Sequence, residues 1–475
     1  MQNPRTQSDA NLIDAIRSPA LFRPWFKDLT TWHAWLTFIR ALFALEMSAA
    51  DLATFTACTG RAEAPTEPMR EAWLCIGRRG GKSLVLAAIA VFLAVFRDWS
   101  DYIVPGESVA VLVIATDRKQ ARIIYRYARS MMTRIAVLKP LVAREDGDVI
   151  ELTNGLNIEV ATASFRSVRG YTLVACLLDE IAYWRNEETS ANPDTEILGA
   201  LRPAMSTIPN SLLLAASSPY AKRGALYNMF RRYYAQPGPV LVWKAPTKTM
   251  NPSFPQSVIE AAYEHDAAAA AAEYGAEFRS DIETFVSREV VDAATPLDRR
   301  ELPPMSGANY VAFVDPSGGS ADSMTLAIAH RLPDDRAALD AVREVRPPFS
   351  PESVTKEFAA LLARYSISEV EGDRYAGEWP RERFREHGIS YVCAEKPKSD
   401  IYRELLPALN SGKIELLDVR VLQAQLCSLE RRTARGGRDS IDHPPGAHDD
   451  LANAAAGALV RAVSGMDFRA IWEKL

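Results

Sequence analysis

Gly77-Arg78-Arg79-Gly80-Gly81-Lys82-Ser83 decides how this chain is read. It follows the apolar run Ala72-Trp73-Leu74-Cys75-Ile76 and precedes a second, Leu84 to Phe96, which predicts a strand, a glycine-rich turn and a helix. Such a loop aims backbone N–H groups at one spot in front of a helix N-terminus, where phosphate binds. Lys82 adds a point charge for the β- and γ-phosphates, and Ser83 offers a hydroxyl to Mg²⁺. Together these groups point to a nucleoside triphosphate. The usual spacing, G-x-x-x-x-G-K-[ST], would put glycine at position 76, where the chain has Ile76, so the loop is one residue short.

Downstream, Val109 to Ala115 (VAVLVIA) and Leu173 to Leu178 (LVACLL) read as buried strands, and so does Ser211 to Ala216 (SLLLAA). Thr116-Asp117 caps a predicted helix rich in Arg, Lys and Gln from Arg118 to about Arg134. Val149 to Ala161 alternates around Asn154-Gly155, a type I′ hairpin signal. Buried strands alternating with helices predict a mostly parallel sheet covered on both faces, with ligands outside the carboxyl ends of its strands. Asp179-Glu180 lies at such an end: Asp179 suits a Mg²⁺ partner, and Glu180 can polarise a water attacking the γ-phosphate. Ser217-Ser218-Pro219 ends the next strand and reads equally as a γ-phosphate sensor or a turn. Arg78 and Arg79 are candidates for neutralising phosphate in cis, and Arg169 or Arg223 for doing so in trans.

Composition bounds the remainder. The 475 residues exceed one ordinary core, so two or three domains are expected. Net charge is −5 and the sequence pI is near 5.9, so positive charge for a nucleic acid must be local. Five scattered cysteines without a C-x-x-C pair argue against zinc and disulfides and fit a reducing cytoplasm. The longest apolar run, 13 residues, is too short to span a bilayer, so no membrane role is expected.

Residues 1–70 read as helical on the spacing of Trp32, Trp35, Leu36, Ile39, Leu42 and Phe43, and 1–245 as the nucleotide-binding domain. Residues 246–294, with a single alanine-rich helix over about 257–279, read as a helical lid. Thr295 to Gly307 has linker composition, three prolines and four charges, and marks the domain boundary. In 308–475, Tyr310 to Val314 leads to Asp315, Ile367 to Val370 leads to Glu371-Gly372-Asp373, and His448-Asp449-Asp450 opens the helix Leu451 to Val463. Carboxylates at separate element ends suit Mg²⁺ or Mn²⁺, which take oxygen ligands and leave positions for phosphate. Asp315 and Asp373, the latter favoured over Glu371, form that set with Asp449 or Asp450; adjacent helix residues diverge by about 100°, so one of these two is the direct ligand. Arg431 to Arg438 is the most concentrated basic stretch, either a DNA-phosphate contact or a solvated loop.

Taken in order, GRRGGKS at 77–83, LLDE at 177–180, SSP at 217–219, VDPSGG at 314–319, EGDRYAGEW at 371–379 and HDDLANA at 448–454 resemble the large terminase subunit of tailed bacteriophages over nearly the full length. The short phosphate loop is similar to variants common in that family. The resemblance implies an α/β architecture: an N-terminal P-loop (ASCE-type) ATPase domain, then an RNase H-like nuclease domain. It implies a motor that uses ATP and Mg²⁺ to package double-stranded DNA and a metal-dependent endonuclease, with Mn²⁺ an alternative to Mg²⁺ at the nuclease site. It also implies a portal protein on the procapsid, a small terminase subunit, a homo-oligomeric ring such as a pentamer, and a place in the host cytoplasm docked at the portal. The competing readings are a helicase or translocase whose second half only binds DNA, and a structural ATP-binding protein of the capsid vertex.

Overall fold

The computed structural model describes residues 11–104, 106–163, 171–184, 193–320, 322–373, 379–432, 439–444 and 447–464. The chain forms two compact units, one ending at Ser280 and the other beginning at Asp281.

The first unit is a sheet of eight strands: β1 (Glu71–Ile76), β2 (Val109–Ala115), β3 (Val142–Asp146), β4 (Val149–Leu152), β5 (Leu156–Thr162), β6 (Thr172–Asp179), β7 (Leu212–Ser217) and β8 (Val240–Ala245). Their order is β3-β4-β5-β2-β6-β7-β1-β8. Strands β5, β2, β6, β7, β1 and β8 run parallel, while β3 and β4 form an antiparallel extension. β7 separates the strand leading to the phosphate loop from the strand ending in Asp179, as the ASCE-type expectation requires. Its helices are α1 (Leu12–Arg17), α2 (His33–Leu42), α3 (Ala49–Thr59), α4 (Lys82–Phe96), α5 (Arg118–Arg134), α6 (Pro193–Met205), α7 (Gly224–Tyr233), α8 (Thr247–Met250), α9 (Gln256–His265) and α10 (Ala267–Glu273). α4 is apolar nearly all round because it is covered on one side by the sheet and on another by α5.

Three expectations change here. Asn154-Gly155 does not make a type I′ turn: Gly155 alone takes positive φ (86°) and its N–H bonds to Leu152 O. With Ile150 opposite Ile158, three residues, Thr153 to Gly155, close the hairpin. The single alanine-rich helix is two, because the Asp266 side chain accepts from the N–H groups of Ala268 and Ala269 and restarts the helix as α10. α8 to α10 also belong to the first unit, tied to its phosphate loop, so 246–294 is not a lid of its own.

The second unit contains β9 (Ile282–Thr284), β10 (Tyr310–Asp315), β11 (Met324–Arg331), β12 (Ala337–Val345), β13 (Glu369–Gly372), β14 (Ser390–Cys393), β15 (Ile414–Glu415), β16 (Glu430–Arg432) and β17 (Ser440–Asp442). Six of them form a mixed sheet in the order β14-β13-β10-β11-β12-β15, while β9, β16 and β17 make a small antiparallel one. β10-β11-β12 is an antiparallel meander and β13 and β14 add parallel to β10, the RNase H-like arrangement. Its helices are α11 (Arg288–Ala293), α12 (Pro351–Arg364), α13 (Trp379–Glu386), α14 (Lys398–Asn410), α15 (Arg420–Ser428) and α16 (Asp450–Ser464). Thr295 to Gly307 is no free linker. Asp298 N–H donates to Asp418, Arg299 pairs with Glu415 at 2.6 Å, and Leu302 N–H donates to Asp340 O, fixing the stretch to the second unit.

α16 lies across β10, β11 and β12. Gly457 makes that approach possible, since a Cβ there would meet the Phe313 ring at 2.3 Å. Glycine to alanine in a helix is ordinarily stabilising by up to about 1 kcal/mol. At Gly457 the sign should reverse, to a loss of ~1–3 kcal/mol from overpacking. Urea denaturation of Gly457→Ala, followed through the second unit's transition, measures it; an unchanged or raised midpoint would show that Phe313 yields freely.

Candidate functional site

The first cluster lies where β1, β6 and β7 end. Each glycine of the loop has a steric reason. A Cβ on Gly77 would fall 2.3 Å from Thr247 Oγ1, and one on Gly80 2.7 Å from Ile76 Cγ2. A Cβ on Gly81, at φ 95°, would meet the Trp32 and Trp35 rings near 3 Å. Three consecutive loop carbonyls are held from outside. Thr247 Oγ1 donates to Arg78 O at 2.8 Å, Asn251 Nδ2 to Arg79 O at 2.9 Å, and Trp35 Nε1 to Gly80 O at 2.6 Å. α4 starts at Lys82, so its first N–H groups, including that of Ser83, lack intrahelical acceptors and favour an anion.

Lys82 is buried and reaches Glu180 Oε1 at 3.1 Å, Ser218 Oγ at 3.2 Å and Ile76 O at 3.3 Å. Glu180 holds a left-handed backbone (φ 51°), and its other carboxylate oxygen accepts from Ser217 Oγ and Ser218 N–H, both at 3.1 Å. Ser217-Ser218 is therefore more than a turn: it orients Glu180 and touches Lys82. Beside them Asp179 is buried, and its Oδ1 has no hydrogen-bond partner. Burial, then the Glu180 charge, push its carboxyl up to about 7, with Lys82 opposing. An orphaned buried carboxylate oxygen fits a divalent cation. Arg78 is not free, because its guanidinium pairs with Glu273 at 3.1 Å, whereas Arg79 is exposed at φ 63°. Arg169 lies outside the described residues, and Arg223 precedes α7.

The second cluster gathers at one end of β10 and β13 and at the start of α16. Asn453, fully buried one turn into α16, donates to Asp315 Oδ2 at 2.8 Å and to Asp373 Oδ2 at 2.6 Å. Its own Oδ1 is buried without a partner. Burial, then the Asp373 charge, raise Asp315 well above the usual carboxylate range, with smaller pushes from Asp450 and Asp449. Burial likewise raises Asp373, and burial followed by the Asp449 charge pushes Asp450 up to about 6. The two adjacent aspartates are held differently. Asp450 accepts from Ser323 N–H at 3.2 Å, while Asp449 accepts from Tyr402 OH at 2.9 Å and pairs with Lys398 at 3.1 Å. Glu371 turns away to Arg461 at 3.1 Å, leaving Asp373 as the residue of that segment in the cluster. Residues 374–378 of the motif begun by Glu371 lie outside the described residues.

Sequence reading missed Trp35, Thr247, Asn251 and Glu273 around the loop and Asn453, Lys398, Tyr402, Asp442 and His443 around the aspartates. Only Asn453 carried a signal, lying three residues after Asp450 on the same helix face. Asp442, His443 and Asp449 bring donor atoms within 4.8 Å of one another, and Lys398 Nζ sits 2.7 Å from Asp442. In the basic stretch, Arg431 pairs with Asp439 and Arg432 with Glu430, and 433–438 lie outside the described residues.

No family model matches the chain, and no curated protein does. The chain is similar in structure to large terminases of bacteriophages. The HK97 bacteriophage large terminase aligns at 16% identity over 83% of this chain and 91% of that chain, TM-score 0.37. The ATPase domain of the Thermus phage P74-26 large terminase aligns at 18% identity over 51% of this chain and 97% of that chain, TM-score 0.36. The large terminase nuclease from thermophilic phage G20c with bound magnesium aligns at 16% identity over 36% and 95%, TM-score 0.32. Among the described residues, no helix is long and apolar enough to cross a membrane.

The raised carboxyls have a measurable consequence. Asp179, Asp315, Asp373 and Asp450 hold protons in the folded chain that the unfolded chain releases near pH 4. Between about pH 4 and about pH 7 the folded state thus binds more protons, and their contribution to stability falls as pH rises. A divalent cation held by these carboxylates would bind their ionised forms and offset that loss. Saturating Mg²⁺ should raise the thermal midpoint more at about pH 8 than at about pH 5.5. The gain should shrink in Asp315→Asn; equal gains at both pH values would contradict the assignment.

Proposed function

We propose that the chain is the motor and nuclease of viral DNA packaging, hydrolysing ATP to move double-stranded DNA and cutting that DNA with divalent metal. The observation that carries this reading is the pairing of two sites in one chain. Lys82, Glu180 and Ser218 meet at the ends of neighbouring parallel strands, and a separate sheet holds Asp315 and Asp373 on one buried amide.

In the first site Gly77, Arg78, Arg79, Gly80, Gly81, Lys82 and Ser83 cradle the triphosphate of ATP, and Ser83 and Asp179 hold Mg²⁺. Arriving phosphate competes for the Lys82 ammonium, which leaves Glu180. Glu180, still fixed by Ser217 and Ser218, is then free to orient and polarise the attacking water. In the second site Asp315, Asp373 and Asp450 are the metal-holding carboxylates, with Asp449 positioned beside them by Tyr402 and Lys398. Mg²⁺, or Mn²⁺ in the nuclease, supplies charge to answer the phosphate oxygens in both places and to activate water in the second. A second half that only bound DNA would leave this set of buried, mutually repelling carboxylates unexplained, because such burial destabilises a fold. On this reading the working form is a homo-oligomeric ring, such as a pentamer, docked on a portal in the host cytoplasm, with a small terminase subunit choosing the DNA.

The two sites separate by mutation. Glu180→Ala should lower ATP turnover by about 10²–10⁴-fold while ATP still binds. Asp315→Ala should abolish Mg²⁺- and Mn²⁺-dependent nicking of plasmid DNA and leave ATP hydrolysis intact. Full turnover in the first variant, or persistent nicking by the second, would refute the corresponding site.

A further inference from the structure

We infer that one face of α5 grips the phosphate backbone of duplex DNA in the first unit. The inference rests on the packaging reading for its substrate and on α5 for its location. In a chain of net charge −5, the 17 residues of α5 carry six Lys or Arg and no Asp or Glu. Its buried side, Ala121, Ile124, Tyr125, Ala128, Met131 and Met132, packs into the unit's core. At about 100° per residue, Lys119, Arg122, Ile123, Arg126, Tyr127 and Arg134 all fall on the opposite side, and all six are exposed.

Two features separate this face from an ordinary solvated one. Neighbouring cations are already answered: Arg129 pairs with Glu145, and Arg144 with Asp146 at 2.8 Å. Lys119, Arg122, Arg126 and Arg134 have no carboxylate partner among the described residues. Second, Ile123 (37% exposed) and Tyr127 (38%) stand between those cations, giving apolar area at a strongly charged surface. Charge complementarity selects a polyanion, and length selects an extended one. From Lys119 to Arg134 the helix runs about 22 Å, alongside which a DNA strand presents about six phosphates. The face has no partner-specific donor pattern, which suits a motor that must hold any sequence.

The test uses the full chain, a duplex of about 30 base pairs spanning several such lengths, and EDTA to prevent cleavage. Arg122→Ala/Arg126→Ala should weaken binding by on the order of tenfold or more and flatten the log K against log salt slope by about 1.8. Arg122→Lys/Arg126→Lys should restore most of both, and ATP hydrolysis without DNA should stay at the wild-type rate in each. Wild-type affinity and slope in the alanine pair would overturn the inference while leaving the packaging reading in place. Failure of the wild-type chain to bind duplex DNA at low salt would overturn both. If the alanine pair binds DNA normally but loses self-association, α5 is a contact between copies and the inference falls.

Discussion

Asn453 gives one amide proton to Asp315 and the other to Asp373, and the second unit is arranged so that it can. Two aspartates brought together away from water repel each other and lose hydration. An amide NH₂ answers both without adding charge, which a lysine in the same place would not. Reaching it requires α16 to lie close over β10, and Gly457 removes the side chain that would hold the helix off Phe313. Glycine, amide and carboxylates are thus one device spread over two strands and a helix.

The first unit meets the same difficulty with a different group. Glu180 and Asp179 end one strand, and the neighbouring charge is answered by the mobile ammonium of Lys82 rather than by a fixed amide. Around it the loop backbone is anchored by its carbonyls, to Trp35 of α2, Thr247 of α8 and Asn251 just beyond it. With these carbonyls engaged, and with the Gly77, Arg78 and Gly80 N–H groups bonded to Ala245 O, Glu273 O and Gly77 O, the N–H groups at the start of α4 are the ones left for an anion. The N-terminal helices and the segment after β8 therefore take part in shaping the glycine-rich loop.

Much of this could be read from the chain, and the division between legible and hidden follows the physics. Strand ends with Asp179-Glu180, Asp315 and Asp373 were legible because buried parallel strands are continuous apolar runs whose polar exits stand out. Gly77 to Ser83 was legible because phosphate binding constrains backbone and side chains within seven residues. Trp35, Thr247, Asn251, Lys398 and Tyr402 were hidden because each acts across a long sequence separation through a single hydrogen bond, which leaves no local pattern. The boundary was misplaced for a related reason. Prolines and charges at 295–307 look like a linker, but Arg299, Asp298 and Leu302 are tied down by partners distant in sequence. The hairpin at Thr153 to Gly155 kept its location and lost its turn type, since Asn-Gly tolerates positive φ at both positions without requiring it.

The two ways of answering buried carboxylates also differ in what they allow next. Lys82 sits on a long flexible stem with three acceptors within reach, so a competing anion can draw it off Glu180 at the cost of one contact among several. Asn453 has a short side chain fixed on a buried helix, and releasing Asp315 from it would require moving α16. The first unit's carboxylates therefore rest on an exchangeable partner, and the second unit's on a fixed one. Under the packaging reading that contrast matches the two tasks, repeated turnover in the first unit and a cut made when translocation ends in the second.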